Sequence, residues 1–263
     1  MDFSRKNSKL EGKISILIPA FNESANIECT LKAVDNYMSR QGLAYEIVVV
    51  DDGSKDKTAD LASRHSSDHI KVVRYRTNMG KGFAVRAAFD HSSGDVIAFF
   101  DAGLDFHPRH MLDFWRRLEE NEVDIVVGSK RHPESDIDYP FKRRAISLMA
   151  QIIVKALFNL DISDTQAGIK LFRREALQEV LPRALVKRFA YDIELLSMAH
   201  RYGYKIAEAP INMKFNFRTS SVKWRWIMQS GYDTLTVFYR LKILRYYDKS
   251  SAERDRMLAK YRR

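Results

Sequence analysis

The sequence predicts an α/β protein: a mostly parallel sheet with helices on both faces, followed by C-terminal amphipathic helices. Three observations carry that expectation. Short apolar runs alternate with helical patterns five times, joined by short loops. Hydrophobic residues make up 45% of the 263, enough for a sizeable core in one domain with appended elements. Polar groups also recur just after each apolar run, where the carboxyl ends of parallel strands gather ligands.

The elements follow in order. "KISILIPAF" (13–21) reads as a buried strand closed by Pro19, and 23–40 has helical apolar spacing at Ile27, Leu31, Val34 and Met38. "YEIVVVDDGS" (45–54) is a second strand that ends in acids, with a short helix over 57–66. "IKVVRY" (70–75) is a third strand and "KGFAVRAAFDH" (81–91) a helix. "GDVIAFFDAG" is the fourth strand, a helix begins near Pro108, and "VDIVVGSK" (123–130) is the fifth strand. A long helix covers 139–160, with Pro140 suited to its first turn. Residues 164–177 read as loop, strand and helix start, 190–204 as a helix ended by Gly203, and 205–215 as a strand. From Val222 the chain is aromatic, basic and helical, with Gly231 expected to divide it. The boundary is placed there: 1–221 as the main domain and 222–263 as a basic, aromatic helical segment.

Composition narrows the partners. The formal net charge is +10, which favours anionic partners: nucleic acid, a membrane surface or phosphorylated small molecules. Acids at the strand ends argue against a groove for a nucleic-acid backbone, so no nucleic-acid partner is expected. Cys29 is the only cysteine; no intrachain disulfide is possible and a reducing compartment is expected. The first residues, "MDFSRKNSKLEGK", lack a signal peptide's apolar run. "AISLMAQIIVKALFNL" is too short to span a bilayer and contains Lys155. Membrane contact is therefore expected to be peripheral, on the cytoplasmic face.

Each polar turn has a structural and a chemical reading. Asp51-Asp52-Gly53-Ser54 is a capped turn, or a carboxylate for a nucleobase N–H. Asn78 to Gly82 is a plain loop, or a helix start whose backbone N–H groups meet phosphate with Lys81 as a point charge. In "FFDAGLDFHP", Asp101 and Asp105 suit Mg²⁺ or Mn²⁺, which bind through one or two carboxylates plus substrate phosphates. Gly103 stands where a second acid of a D-x-D clamp would be. On the 139–160 helix, Arg143, Ser147, Gln151 and Lys155 form a stripe opposite Ile146, Met149, Ile153 and Leu157. That stripe is a solvated face, or a place where Arg143 and Ser147 grip a phosphate.

"ILIPAFNE", "VVVDDGSKDKT", "NMGKG", "FFDAGLDFHP", "VVGSKR", "DTQAGIKLF" and "YDIELL" occur here in an order that resembles family-2 GT-A glycosyltransferases, most of all the dolichyl- or polyprenyl-phosphate mannose or glucose synthases. The resemblance covers about residues 13–223. It implies a GT-A (Rossmann-like) fold and an inverting transfer of a hexose from a UDP- or GDP-linked donor to a polyprenyl or dolichyl phosphate. It implies that Pro19, Asn22, Glu23 and Asp52 hold the nucleoside, Lys81 lies near the diphosphate, and Asp101 with Asp105 binds Mg²⁺ or Mn²⁺. Lys130, Arg131, Arg143 and Ser147 would receive the acceptor phosphate, and Thr165, Gln166 and Lys170 would line the sugar site. Arg218 or Lys223, in a late basic loop, would close over the nucleotide. Asp101, Asp105, Arg143 and Ser147 are thus the expected catalytic residues.

A phosphate acceptor needs cations to position it rather than a base, because its second pKa of about 6 leaves it anionic near neutral pH. Two alternatives stay open: a hydroxyl acceptor, with Asp192 as base, and a catalytically impaired nucleotide-sugar-binding homologue, because of Gly103. Residues 222–249 carry six lysine and arginine residues against two aspartates, with Trp224, Trp226, Phe238, Tyr246 and Tyr247 among them. They fit a membrane-surface helix or a helix packed on the core. A separate membrane subunit or a homodimer is a further expected partner.

Overall fold

Side chains of β1 (Lys13–Ala20), β2 (Ala44–Asp52) and β4 (Val96–Phe99) point alternately to the two faces of one sheet, because the strand period is two. Ile14, Ile16, Ile18, Ile47, Val49, Val96 and Ala98 enter one core; Leu17, Val48, Val50, Ile97 and Phe99 enter the other. Both faces therefore need helical cover. α1 (Ile27–Met38) and α4 (Arg109–Glu120) cover the first, through Ile27, Leu31, Val34 and Met38 and through Met111, Leu112, Phe114, Trp115 and Leu118. α3 (Lys81–Asp90), α6 (Arg174–Val180) and α7 (Tyr191–Arg201) cover the second. Each buried aliphatic side chain contributes about 1.5–3 kcal/mol relative to exposure. The computed structural model describes residues 10–137, 141–187, 190–213, 224–254 and 257, and of 141–147, 149, 150 and 224–227 it describes the backbone alone.

The sheet has seven strands in the order β3 (Ile70–Tyr75), β2, β1, β4, β7 (Lys170–Arg173), β5 (Ile125–Ser129), β8 (Ile206–Pro210). All pairs are parallel except those of β7, which lies antiparallel between β4 and β5. The expected mostly parallel sheet with helices on both faces is thus present. β7 alone runs against it, and it brings residues 164–169 to the carboxyl ends of β4 and β5. A small parallel pair, β6 (Asp136–Ile137) with β9 (Asn212–Met213), lies beside them.

At the opposite edge, Glu46 is almost fully buried and holds three elements. It accepts from Ser15 Oγ, from the backbone and hydroxyl of Ser93, and from Lys71 Nζ at 2.9 Å. Burial opposes its charge, but these donors hold its carboxyl down at about 2.

Two expectations about helices are corrected. In α5 (Phe141–Phe158) the buried line runs through Val154 and Phe158, with Gln151 half-buried, while Ile153 is half exposed beside Leu148 and Ile152. The cause is docking: Phe158 meets Phe238 edge-on with centroids 6.2 Å apart, which turns Ile153 outward. Ile146 and Met149 lie outside the described side chains. Gly231 does not divide the C-terminal helix. α8 (Trp224–Phe238) runs through it, and a Cβ at Gly231 would meet nothing within 4 Å. A glycine there costs about 1 kcal/mol of helix propensity, which docking outweighs.

α8 and the turns after it belong to the second core through Val237, Leu241, Tyr246 and Tyr247. Their anchor is Glu194 of α7, fully buried, which accepts from the Tyr247 hydroxyl and from the backbone N–H of Leu185 and Val186.

Candidate active site

The parallel strands β1, β2, β4 and β5 end on one edge, and their following loops converge there. The first two loops are tied together. Asn22, in a left-handed conformation at φ 56°, donates its backbone N–H to Ser54 Oγ and accepts from the Lys55 N–H, each at 2.9 Å. Glu23 donates its N–H to Thr58 Oγ1 at 2.8 Å and accepts from Asn26 Nδ2 with its carboxylate. Pro19 lies three residues before Asn22, in the half-buried end of β1, beside Val50.

Asp52 has an internal task that its motif does not announce. Its carboxylate, 3% exposed, accepts the N–H of Met79 at 2.7 Å, the N–H of Gly80 at 2.9 Å and the Asn78 amide at 2.9 Å. The 78–80 loop thus hangs on the end of β2. Gly80, at φ 94°, lets the chain turn from it directly into α3. A nucleobase N–H would have to share an acceptor already holding three donors.

Lys81 is the first residue of α3, and its ammonium lies 3.0 Å from Asp101 Oδ1. Burial disfavours the charge, but Asp101 and Asp192 outweigh it, and the Lys81 pKa is raised. Asp101 is held from the other side by Gly168: a Cβ there would lie 1.6 Å from Asp101 Oδ2. Asp105 comes to the same place. Burial first, then the negative charges of Asp101 and Glu23, push its carboxyl up, against a lowering by Lys130. Gly103 has room: a Cβ would meet nothing closer than Asp105 Oδ2 at 3.5 Å.

Behind these groups Lys170, 1% exposed, lies 2.9 Å from Asp192 Oδ1 and donates to the Ala167 carbonyl. Asp192 is buried, which disfavours its charge, yet Lys170, Lys81 and Lys130 hold its carboxyl below the usual range. Asp101, Lys81, Asp192 and Lys170 therefore alternate in sign. On the β5 side, Lys130 Nζ is 3.4 Å from Asp164 Oδ2, and Arg131 Nη1 donates to the Ser163 carbonyl at 3.0 Å. Glu208 of β8 accepts the N–H groups of Ser163 and Asp164 and so fixes that loop. Thr165 is buried in it, and Gln166 stands exposed with its N–H on Asp164.

Glu23, Asp101, Asp105, Lys81, Lys130, Asp192 and Lys170 are thus brought together, with Asp52 one loop away. Arg143 and Ser147 are on the first half of α5, but their side chains lie outside the described residues, as do Arg218 and Lys223 altogether. Sequence reading missed Gly168 and the Asp164–Glu208 clamp. Gly168 and Asp164 lie in the segment that leads into β7, whose reversed place leaves no trace in apolar spacing.

Among the described residues, no three carboxylate, imidazole or thiol side chains converge as a complete metal set. The residues present still fit a hard divalent cation that completes its shell with phosphate oxygens and water. The negative charge of Asp101 acts on Asp105, and that repulsion is what such a cation would relieve.

Comparison with known proteins gives the family and the fold. Residues 15–181 match the model of Glycosyl transferase family 2. The dolichyl-phosphate beta-glucosyltransferase of Dictyostelium discoideum is 32% identical over 216 residues, 76% of this chain and 65% of that protein. The human dolichyl-phosphate beta-glucosyltransferase is 31% identical over 251 residues, 88% of this chain and 76% of that one. Glycosyltransferase AglD of Haloferax volcanii is 28% identical over 88% of this chain, which spans 38% of AglD. Among solved structures, glucosyl-3-phosphoglycerate synthase of Mycobacterium tuberculosis, in complex with Mn²⁺, UDP-glucose and phosphoglyceric acid, matches with a TM-score of 0.68 at 22% identity, over 87% of this chain and 79% of that one. Mannosyl-3-phosphoglycerate synthase of Rubrobacter xylanophilus matches with a TM-score of 0.69 at 20% identity, over 92% and 77%. These last two likenesses concern the fold, which is GT-A. The chain belongs to Glycosyl transferase family 2.

Proposed function

We propose that this chain is an inverting glycosyltransferase that moves a hexose from a nucleotide diphosphate sugar, UDP- or GDP-linked, to the phosphate of a polyprenyl or dolichyl phosphate. The reading rests above all on the place of Asp101, with Lys81 on one oxygen and Asp105 beside it, at the edge where the strand-end loops meet. The names of the relatives add glucose as the hexose and dolichyl phosphate as the acceptor.

The residues divide the work. Pro19, Asn22, Glu23 and Asp52 build the wall for the nucleoside, Asp52 by holding the 78–80 loop. Asp101 and Asp105 would hold Mg²⁺ or Mn²⁺, which supplies positive charge to the diphosphate as it leaves. Lys81 adds a fixed cation at the same place. Exposed Gln166 is assigned to the sugar side, with buried Thr165 and Lys170 behind it. Lys130 and Arg131, with Arg143 and Ser147 of α5, are assigned to the acceptor phosphate, and Lys223 of the late basic loop to the nucleotide. The acceptor oxygen is already anionic, so it attacks the anomeric carbon in line, the bond to the diphosphate breaks, and the configuration inverts.

Asp192 supports a phosphate acceptor over a hydroxyl. Three lysines stabilise its ionised form, which makes it a weak base. The lipid would be met at a membrane surface. α8 and the turn after it expose Met228, Tyr232, Leu235, Tyr239 and Ile243 along one face, beside Arg240, Lys242 and Arg245. No helix among the described residues is long and apolar enough to cross a membrane. The proposal places the chain peripherally on the cytoplasmic leaflet, with 222–263 as its membrane-facing segment on the 1–221 domain.

The test is transfer from labelled UDP- and GDP-hexoses, with Mg²⁺ or Mn²⁺, to a short polyprenyl phosphate and to the matching polyprenol. Label is expected in the phosphate-linked lipid alone. Label in the polyprenol product alone would overturn the acceptor assignment.

A further inference from the structure

Lys81 stands on the carboxylate that the proposed function gives to the metal. Its ammonium is 3.0 Å from Asp101 Oδ1, and the other oxygen, Oδ2, is pressed against the backbone at Gly168. Asp101 has little freedom to offer a different oxygen. The pair is not sealed: the two side chains are 33% and 35% exposed, so the contact is open to exchange with ions and ligands. Lys81 also has a second carboxylate nearby, Asp192, but Lys170 occupies that one at 2.9 Å. With Gly103 in place of an acid, Asp101 and Asp105 supply two negative charges, and Lys81 cancels one of them. A divalent cation approaching the ligand-free protein meets a covered ligand atom and a nearby positive charge.

We infer that Lys81 and the divalent cation compete for Asp101, and that the diphosphate of the nucleotide relieves the competition by taking over the Lys81 ammonium. This rests on the reading of Asp101 as a metal ligand. Phosphate oxygens are a strong alternative partner for an ammonium group. Once Lys81 turns to them, Asp101 Oδ1 is free, and the phosphates supply further oxygens to the cation. Metal and nucleotide then bind with positive coupling, and the coupling is reciprocal. Lys81 thereby delays loading of the metal until the nucleotide is present, a role separate from neutralising the leaving group.

The test measures Mn²⁺ binding by titration calorimetry and by the loss of the free Mn²⁺ resonance signal. Wild type, Lys81→Gln, Lys81→Met and Asp101→Asn are compared alone and with UDP or GDP, after thermal melting confirms that each is folded. In wild type, the nucleotide is expected to tighten Mn²⁺ binding by about tenfold or more. In both Lys81 variants, Mn²⁺ is expected to bind the nucleotide-free protein about tenfold tighter than wild type, and the effect of nucleotide to shrink. Unchanged or weaker Mn²⁺ binding by the nucleotide-free Lys81 variants, with Asp101→Asn still abolishing binding, overturns the competition while the metal reading stands. Mn²⁺ binding that survives Asp101→Asn, or no binding by any form even with nucleotide, overturns the metal reading and the competition with it.

Discussion

Gly168 lies so close to Asp101 that a Cβ on it would fall 1.6 Å from Oδ2 and 2.4 Å from Cγ. No rotation of the carboxylate alone removes that overlap, so any side chain at 168 must move Asp101. Displacement of about 1 Å at a reacting centre costs about 100-fold in rate. Gly168→Ala is therefore expected to lower kcat/KM by about that factor, measured with labelled sugar nucleotide. Far-ultraviolet circular dichroism should stay unchanged.

The carboxylate of Asp52 meets three donors: two backbone N–H groups and the Asn78 amide. In Asp52→Asn one oxygen becomes an NH₂ that faces donors instead of accepting from them. The expected result is a loss of about 2 kcal/mol of stability in urea titrations, since a buried donor is left unmet. Nucleotide affinity should fall about tenfold as the 78–80 loop loses its anchor; calorimetric titration with UDP and GDP measures it.

Much of this was readable in the residues, for definite physical reasons. Continuous apolar runs such as Ile16–Ile18 and Ile47–Val50 fix buried strands, and the helices between them make parallel pairing the economical topology. From parallel pairing alone it follows that Asp52, Asp101 and Ser129 end on one edge. Three things were not readable. Four residues of β7 give no sign that they insert antiparallel between β4 and β5. In α5, apolar residues occur on more than one face, so spacing does not show that Val154 and Phe158 turn inward and Ile153 outward. The charge order Asp101, Lys81, Asp192, Lys170 joins four segments far apart in sequence, and only the fold reveals it.

Gly103 permits a direct test of the two-carboxylate site. A Cβ there would meet only the Asp105 carboxyl, Oδ2 at 3.5 Å and Cγ at 3.9 Å, and the φ of Gly103 is not in the left-handed region. Gly103→Asp should tighten Mn²⁺ binding by about tenfold, as a third carboxylate joins the set. Wild type should already be active. Turnover seen only in Gly103→Asp would support an impaired homologue instead.

Acid stability follows from Glu46. Its ordinary value of 4.5 is depressed to about 2 in the folded protein. A depressed carboxyl contributes stability fully above the unfolded value and loses it as pH falls through the folded one. The contribution should therefore fade between about pH 4.5 and 2. Its partners Lys13 and Lys71 are 34% and 45% exposed, so screening discounts the contribution to about 2–3 kcal/mol. Glu46→Gln should lose that amount at neutral pH and show a flatter acid limb in denaturation curves measured against pH.

The decisive measurement is the rate of formation of lipid-linked hexose from UDP-glucose and a short polyprenyl phosphate in the presence of Mn²⁺, in wild type and in Asp101→Asn. Wild type should form a product whose anomeric configuration is inverted relative to the donor, and Asp101→Asn should lose at least about 100-fold of that rate. Equal rates in the two proteins, or no lipid-linked sugar from wild type with any UDP- or GDP-hexose and either metal, would contradict the role given to this site.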